Sequence, residues 1–145
     1  VETKRKKFVE IALSWAETAK WSATGSTRSG SNCVGFPTGV AREMGGLEVL
    51  VELGEAASMY RRPLTTRMMV DGMLGHLEPV HLTEIVPGDF LMYRVTDRPD
   101  HIVIVVTITP LQFIHMDQQK RTVKVSTPPA GWLPVGAFRI QDLSE

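Results

Sequence analysis

The chain has 145 residues, enough for one domain with its own hydrophobic core. Hydrophobic residues make up 43% and charged residues 22%, which excludes a disordered or fibrous class. Lysine plus arginine and aspartate plus glutamate balance at 16 each, so no net field calls for nucleic acid or anionic lipid as a partner.

The only cluster of basic residues, Lys4 to Lys7, opens the first predicted element. Phe8, Ile11, Ala12, Trp15 and Ala19 recur at helical spacing, which predicts an amphipathic helix over residues 4 to 20 and makes the basic run its solvated start. No apolar run approaches the roughly 20 residues that span a bilayer. The segment FVEIALSWAETAK is not a signal-peptide core either. The sequence begins at Val1, so removal of an upstream segment, and with it secretion, stays open.

Residues 22 to 32, SATGSTRSGSN, are small and polar and read as a loop. A helix is predicted over 33 to 44 through Val34, Val40, Ala41 and Met44, ended by Gly45 and Gly46. A third helix is expected over 47 to 60, before Pro63, and a fourth from Thr65 or Thr66 to about Leu74. Beyond residue 80 the pattern changes. Pro87-Gly88-Asp89 is turn chemistry, and FLMYRV after it is strand-like. HIVIVVTI, residues 101 to 108, has the near-continuous β-branched run of a central strand buried on both faces. LQFIHM (111–116), TVKVS (122–126) and GAFRI (136–140) complete an expected meander. Helices first and antiparallel strands afterwards give an α+β fold in a single domain spanning 1–145.

Cys33 is the only cysteine, which rules out an internal disulfide and a multi-cysteine zinc site. It stands at the predicted start of the second helix, with Ser31 and Asn32 as candidate caps. Unpaired N–H groups at a helix start favour a thiolate and can bind an oxyanion. Gly30 and Gly35 leave room for a substrate backbone. A free cysteine is also often a small buried hydrophobe, so the thiol needs a base before it counts as a nucleophile. His76, after Gly75 at a helix end, and His81, ahead of Pro87, read as cap and surface residues. His101 heads the most hydrophobic strand, and His115 interrupts the apolar run of the next. If 101–108 and 111–116 form a hairpin, the two histidines meet at one end of the sheet. A satisfied pair of core histidines and a mixed metal site with Asp100 or Asp117 are the rival readings.

Cysteine at a helix start, histidine at a strand start and a polar residue on the following strand form an order that resembles the NlpC/P60 family of papain-like cysteine peptidases. SNCVGF is similar to that family's DCSG motif, PGDFLMYRV to its PGDLVFF strand, DHIVIVV to its SHVGIYL strand and FIHM to its FIHA strand. The resemblance runs from about Trp15 to Ile140. It implies a papain-like NlpC/P60 fold, with N-terminal helices packed on an antiparallel sheet of about five strands and a helical insertion at about 46–80. It implies a catalytic triad of Cys33 as nucleophile, His101 as base and His115 as the residue that orients His101, with the Cys33 N–H and Asn32 at the oxyanion end. No cofactor or metal is implied. Asn32 stands where the family has aspartate, and Trp21 where it has a tyrosine ahead of the cysteine; Trp21, Ser31 and Gly35 are the expected cleft residues.

NCVGFPTGVAREMGG and VKVSTPPAGWLPVGAFRI further resemble NlpC/P60 proteins encoded beside phage tail genes. That implies a module hydrolysing peptidoglycan stem peptides, at γ-D-glutamyl linkages. It would sit in a virion tail with other tail or baseplate proteins as partners, and act in the periplasm or cell wall. A silent structural hub or plug with the same fold is the alternative. An amidase or acyltransferase using the same Cys-His pair is a further one.

Overall fold

The computed structural model describes residues 3–16, 18–22, 25–58, 66–95, 101–117 and 119–143. Helix α1 (Lys4–Ser14) starts at Thr3, whose hydroxyl accepts the Lys6 N–H at 3.0 Å. It ends earlier than its apolar spacing predicts because the backbone after Trp15 is recruited elsewhere. Lys20 N donates to Arg28 O, and Trp21 N donates to Arg121 O on the far side of the chain. The polar loop that follows carries a small hairpin, β1 (Ser26–Thr27) with β2 (Gly30–Ser31).

Helix α2 (Gly35–Met44), α3 (Glu48–Ser58) and α4 (Thr66–His76) come next. The ends of the third and fourth predicted helices fall partly on 59–65, outside the described residues. Space between α2 and α3 is so tight that a Cβ on Gly54 would overlap the side chain of Thr38. The 46–80 segment is not wholly helical, because it closes with strand β3 (Glu78–Val80).

β4 (Phe90–Arg94), β5 (His101–Thr107), β6 (Gln112–Asp117), β7 (Thr122–Ser126) and β8 (Leu133–Arg139) complete a six-stranded sheet in the order β3-β8-β4-β5-β6-β7. Every pairing is antiparallel. The expected meander holds from β4 to β7 and then fails. β8 pairs with β4 and β3, not with β7, so residues 127–132 cross from one side of the sheet to the other. The exposed, proline-containing run Thr127–Gly131 makes that crossing. Its chemistry is that of a connector, which sequence periodicity cannot tell from a hairpin loop.

Strand alternation divides the core in two. Phe90, Met92, Ile102, Ile104, Ile114, Met116 and Val123 face the helices, where they meet Phe8, Ala12, Trp15, Phe36 and Val40. Phe8 packs edge-on to Phe90 at 6.3 Å, and Trp15 lies 5.5 Å from Phe36. On the other face Leu91, Tyr93, Val103, Val105, Phe113 and Ala137 form a second cluster, against which Trp132 and Leu111 pack. Each fully buried large side chain contributes roughly 2 kcal/mol. Two-sided burial explains why β5 reads as an unbroken apolar run.

Candidate active site

Asn32 sets the geometry of the thiol. Its side-chain Oδ1 accepts the N–H of Val34 at 3.2 Å and of Gly35 at 2.6 Å, and its backbone carbonyl accepts Phe36 N at 3.0 Å. Asparagine thus caps the first turn and leaves Cys33 at its head. The space beside the Gly35 Cα is filled by the carbonyl of Gly25, which also accepts the Asn32 N–H at 3.3 Å. Gly35 is buried, so its missing side chain admits the protein's own loop and not a substrate.

Val105 spends both backbone groups on the β4 side: its N–H donates to Asp89 O at 2.8 Å, and its carbonyl accepts Gly88 N at 2.9 Å. By alternation Ile104 and Ile102 aim theirs toward β6. The β5–β6 ladder pairs Thr107 with Gln112, Val105 with Phe113 and Ile104 with Ile114. Ahead of Ile104, the Ile102 N–H lies close enough to the Cys33 thiol to pull its pKa down. Thiol and imidazole therefore flank one peptide unit, the one joining His101 to Ile102.

Cys33 is half-buried. Burial pushes its thiol up, against the N–H groups of Cys33, Ile102 and Val34, which pull it down. The expected lowering by the helix start is outweighed, because desolvation of a thiolate costs more than three N–H contacts return. Ionisation of this thiol then calls for a neighbouring base.

The two histidines meet as the hairpin register predicts. His101 Nε2 lies 2.7 Å from His115 Nδ1, with the rings edge-on and 4.9 Å between centroids. His115 is only 4% exposed. Burial lowers its pKa from 6.5 to about 4, with Asp117 pulling it up and Lys124 pushing it further down. At neutral pH it is an uncharged imidazole. Its second nitrogen, Nε2, lies 3.2 Å from Ser126 Oγ. Trp132, at the end of the crossing segment, lies edge-on to both rings, 5.4 Å from His101 and 5.9 Å from His115. It is stacked on Phe113 at 6.0 Å and lies 5.6 Å from Tyr93. Tyr93 is paired with His101 across β4 and β5, and burial raises its phenol above the ordinary value.

The other candidates separate from this cluster. Trp21 is held at the β7 end by Arg121, whose guanidinium lies 4.7 Å over its ring. Ser31 belongs to β2, opposite Ser26. His76 Nδ1 donates to Gly72 O at 2.9 Å as a helix-end cap, and His81 is exposed. Asp117 is occupied in its own turn. Burial opposes its ionisation, but the Lys120 N–H, the Lys124 ammonium at 3.1 Å and the Gln119 N–H hold its carboxyl below the usual range. Asp100 lies outside the described residues. Among the described residues no three His, Cys, Asp or Glu side chains gather as a metal ligand set, and no helix is long and apolar enough to cross a membrane.

Sequence reasoning missed Ser126, Trp132 and Asp89. Ser126 could have been found by counting across the β6–β7 hairpin from His115. Trp132 could not, because its place depends on the crossing to β8.

No family model matches the sequence, and no curated protein does. The fold has solved counterparts. One is a Staphylococcus aureus protein described as similar to lipoprotein, NLP/P60 family, with a TM-score of 0.53 at 14% identity. The match covers 94% of this chain and 41% of that one, so the chain spans less than half of its neighbour.

Proposed function

We propose that this chain is a cysteine peptidase that hydrolyses peptidoglycan stem peptides, at γ-D-glutamyl linkages. The observation that carries the proposal is the 2.7 Å contact between His101 and His115, with the Cys33 thiol near the adjoining Ile102 N–H. His101 Nε2 is engaged by His115, so Nδ1 is the nitrogen that exchanges a proton with sulfur. Nδ1 takes the thiol proton as sulfur attacks the peptide carbonyl, and the N–H of Cys33 receives the oxyanion. The same proton passes to the leaving amine. Water, deprotonated by His101, then releases the acyl group from sulfur. His115 stays neutral throughout and holds the imidazolium by accepting from Nε2. The N-terminal helices and the antiparallel sheet, shared with an NLP/P60 family protein, agree with this reading at the level of fold.

Placement in a phage tail, with tail or baseplate proteins as partners and action in the periplasm or cell wall, is part of the proposal and rests on the sequence motifs alone. The burial-raised thiol favours a second reading, a silent structural protein of the same fold. Amidase or acyltransferase chemistry would use the same pair.

Incubating purified peptidoglycan with wild type and Cys33→Ala separates these. Release of new amino termini by wild type alone is expected, with cleavage after γ-linked D-glutamate by mass spectrometry. Equal release by both proteins would overturn the mechanism. No release by either, with Cys33 inert to acyl probes, would favour the structural protein.

A further inference from the structure

The hydrogen-bonded row from His101 through His115 to Ser126 has two polarities. In one, His101 Nε2–H donates to His115 Nδ1, and His115 Nε2–H donates to Ser126 Oγ. In the other, the Ser126 hydroxyl donates to His115 Nε2, and His115 Nδ1–H donates to His101 Nε2. The second polarity puts the proton of a neutral His101 on Nδ1, where it blocks uptake of the thiol proton. Only the first is compatible with an imidazolium at His101, which carries protons on both nitrogens.

We infer that Ser126 is a positioning residue that fixes His115 in the Nε2–H tautomer, by accepting the Nε2–H on its hydroxyl oxygen at 3.2 Å. Ser126 stands in register with Phe113, one diagonal step from His115, on the same sheet face. The other groups facing His115 cannot do this work. Phe113 and Trp132 offer it ring edges and faces. Lys124, directly opposite in register, is paired with Asp117 at 3.1 Å, and Asp117 also caps its own turn. Tyr93 packs on Phe113 and Trp132. His101 is already the partner of Nδ1. A buried imidazole N–H without an acceptor is costly, so once His101 Nε2–H donates to Nδ1, the Ser126 hydroxyl oxygen is what lets Nε2 keep its proton.

Protons balance along the row. When Cys33 gives its proton to His101 Nδ1, no proton leaves His101 Nε2, His115 or Ser126; the existing bonds strengthen around the new positive charge. The consequence for turnover rests on the peptidase reading. The choice of polarity rests on it as well, because it is an imidazolium at His101 that requires a bare His115 Nδ1.

Long-range ¹H–¹⁵N spectra of the histidine-labelled full chain at pH 7 test it. His115 is expected to be protonated at Nε2 and bare at Nδ1 in wild type and in Ser126→Thr, which keeps the hydroxyl. In Ser126→Ala a mixture of tautomers is expected, with stem-peptide kcat down about tenfold and KM little changed. An Nδ1–H signal for His115 in wild type or Ser126→Thr would overturn the inference, and so would an unaltered tautomer in Ser126→Ala. If Ser126→Ala fails to fold, the first two spectra decide alone. A wild type that shows the Nε2–H tautomer but cuts no stem peptide would sink the peptidase reading and leave the role of Ser126 standing.

Discussion

His101 and His115 share a 2.7 Å hydrogen bond, yet they meet very different surroundings. His101 is half-buried at the head of β5, while His115 is enclosed and held neutral by burial. That difference has a thermodynamic signature. In the unfolded chain a histidine binds its proton near pH 6.5, and in the fold His115 does so only near pH 4. Between those values the unfolded state binds more protons, so stability rises with pH across the window and is lost as pH falls. The contribution present above pH 6.5 is expected to drop by about 3 kcal/mol on acidification to pH 4. Urea unfolding at pH 7 and pH 4 measures it. His115→Asn should flatten that part of the slope, and an equally steep variant would contradict the assignment.

The same contact bears on the thiol. Burial raises Cys33, so without a base fewer than about one thiol in thirty is ionised at pH 7. Reaction with iodoacetamide at neutral pH must then draw on proton transfer to His101. His101→Ala is expected to slow alkylation at pH 7 by about tenfold and to move its midpoint up toward that of an isolated buried thiol. Equal rates in the two proteins would show that His101 does not serve the sulfur.

Trp132 closes the histidine pair on the face away from the helices. Removing the indole lets water reach His115 and relaxes the desolvation that depresses it. Trp132→Ala should raise the His115 pKa from about 4 toward 6.5, followed by histidine NMR titration. A stability loss of about 2 kcal/mol is expected with it, below the usual cost of a buried aromatic because Trp132 is half-buried. An unmoved titration would assign the burial of His115 to Phe113 and the strands alone.

Much of this site was legible from local pattern. The run from His101 to Ile108 announced a central strand, and the short connection after it announced the hairpin that joins His101 to His115. Asn32 just ahead of Cys33, read as a candidate cap, announced a helix start. What could not be read was non-local. β8 leaves β7 and lands beside β4, so neither Trp132 nor the sixth strand β3 had a visible place. α1 ends short of its apolar spacing because Ala19 keeps the helical period while Lys20 and Trp21 are claimed by Arg28 and Arg121. The thiol's upward shift depends on how closely β5 crowds the helix start, and no run of residues encodes that.

Asp89 belongs with these hidden features, since in the sequence it reads only as a turn residue after Pro87-Gly88. Its carboxylate is fully buried. Arg139 grips it with Nε and Nη2, each at 2.9 Å; Arg5 of α1 reaches it at 3.2 Å, and Val86 N donates at 2.9 Å. One side chain thus ties the first helix, the last strand and the turn into β4. Asp89→Ala would leave Arg139 and Arg5 facing a void without their counter-charge, at a cost of about 3 kcal/mol. Arg5→Ala should cost less, about 1 kcal/mol, because the bidentate Arg139 contact survives and Arg5 is partly solvated. Thermal unfolding of the two variants beside wild type measures the ordering. A larger loss in Arg5→Ala than in Asp89→Ala would mean that the helix contact, and not the buried carboxylate, holds this corner together.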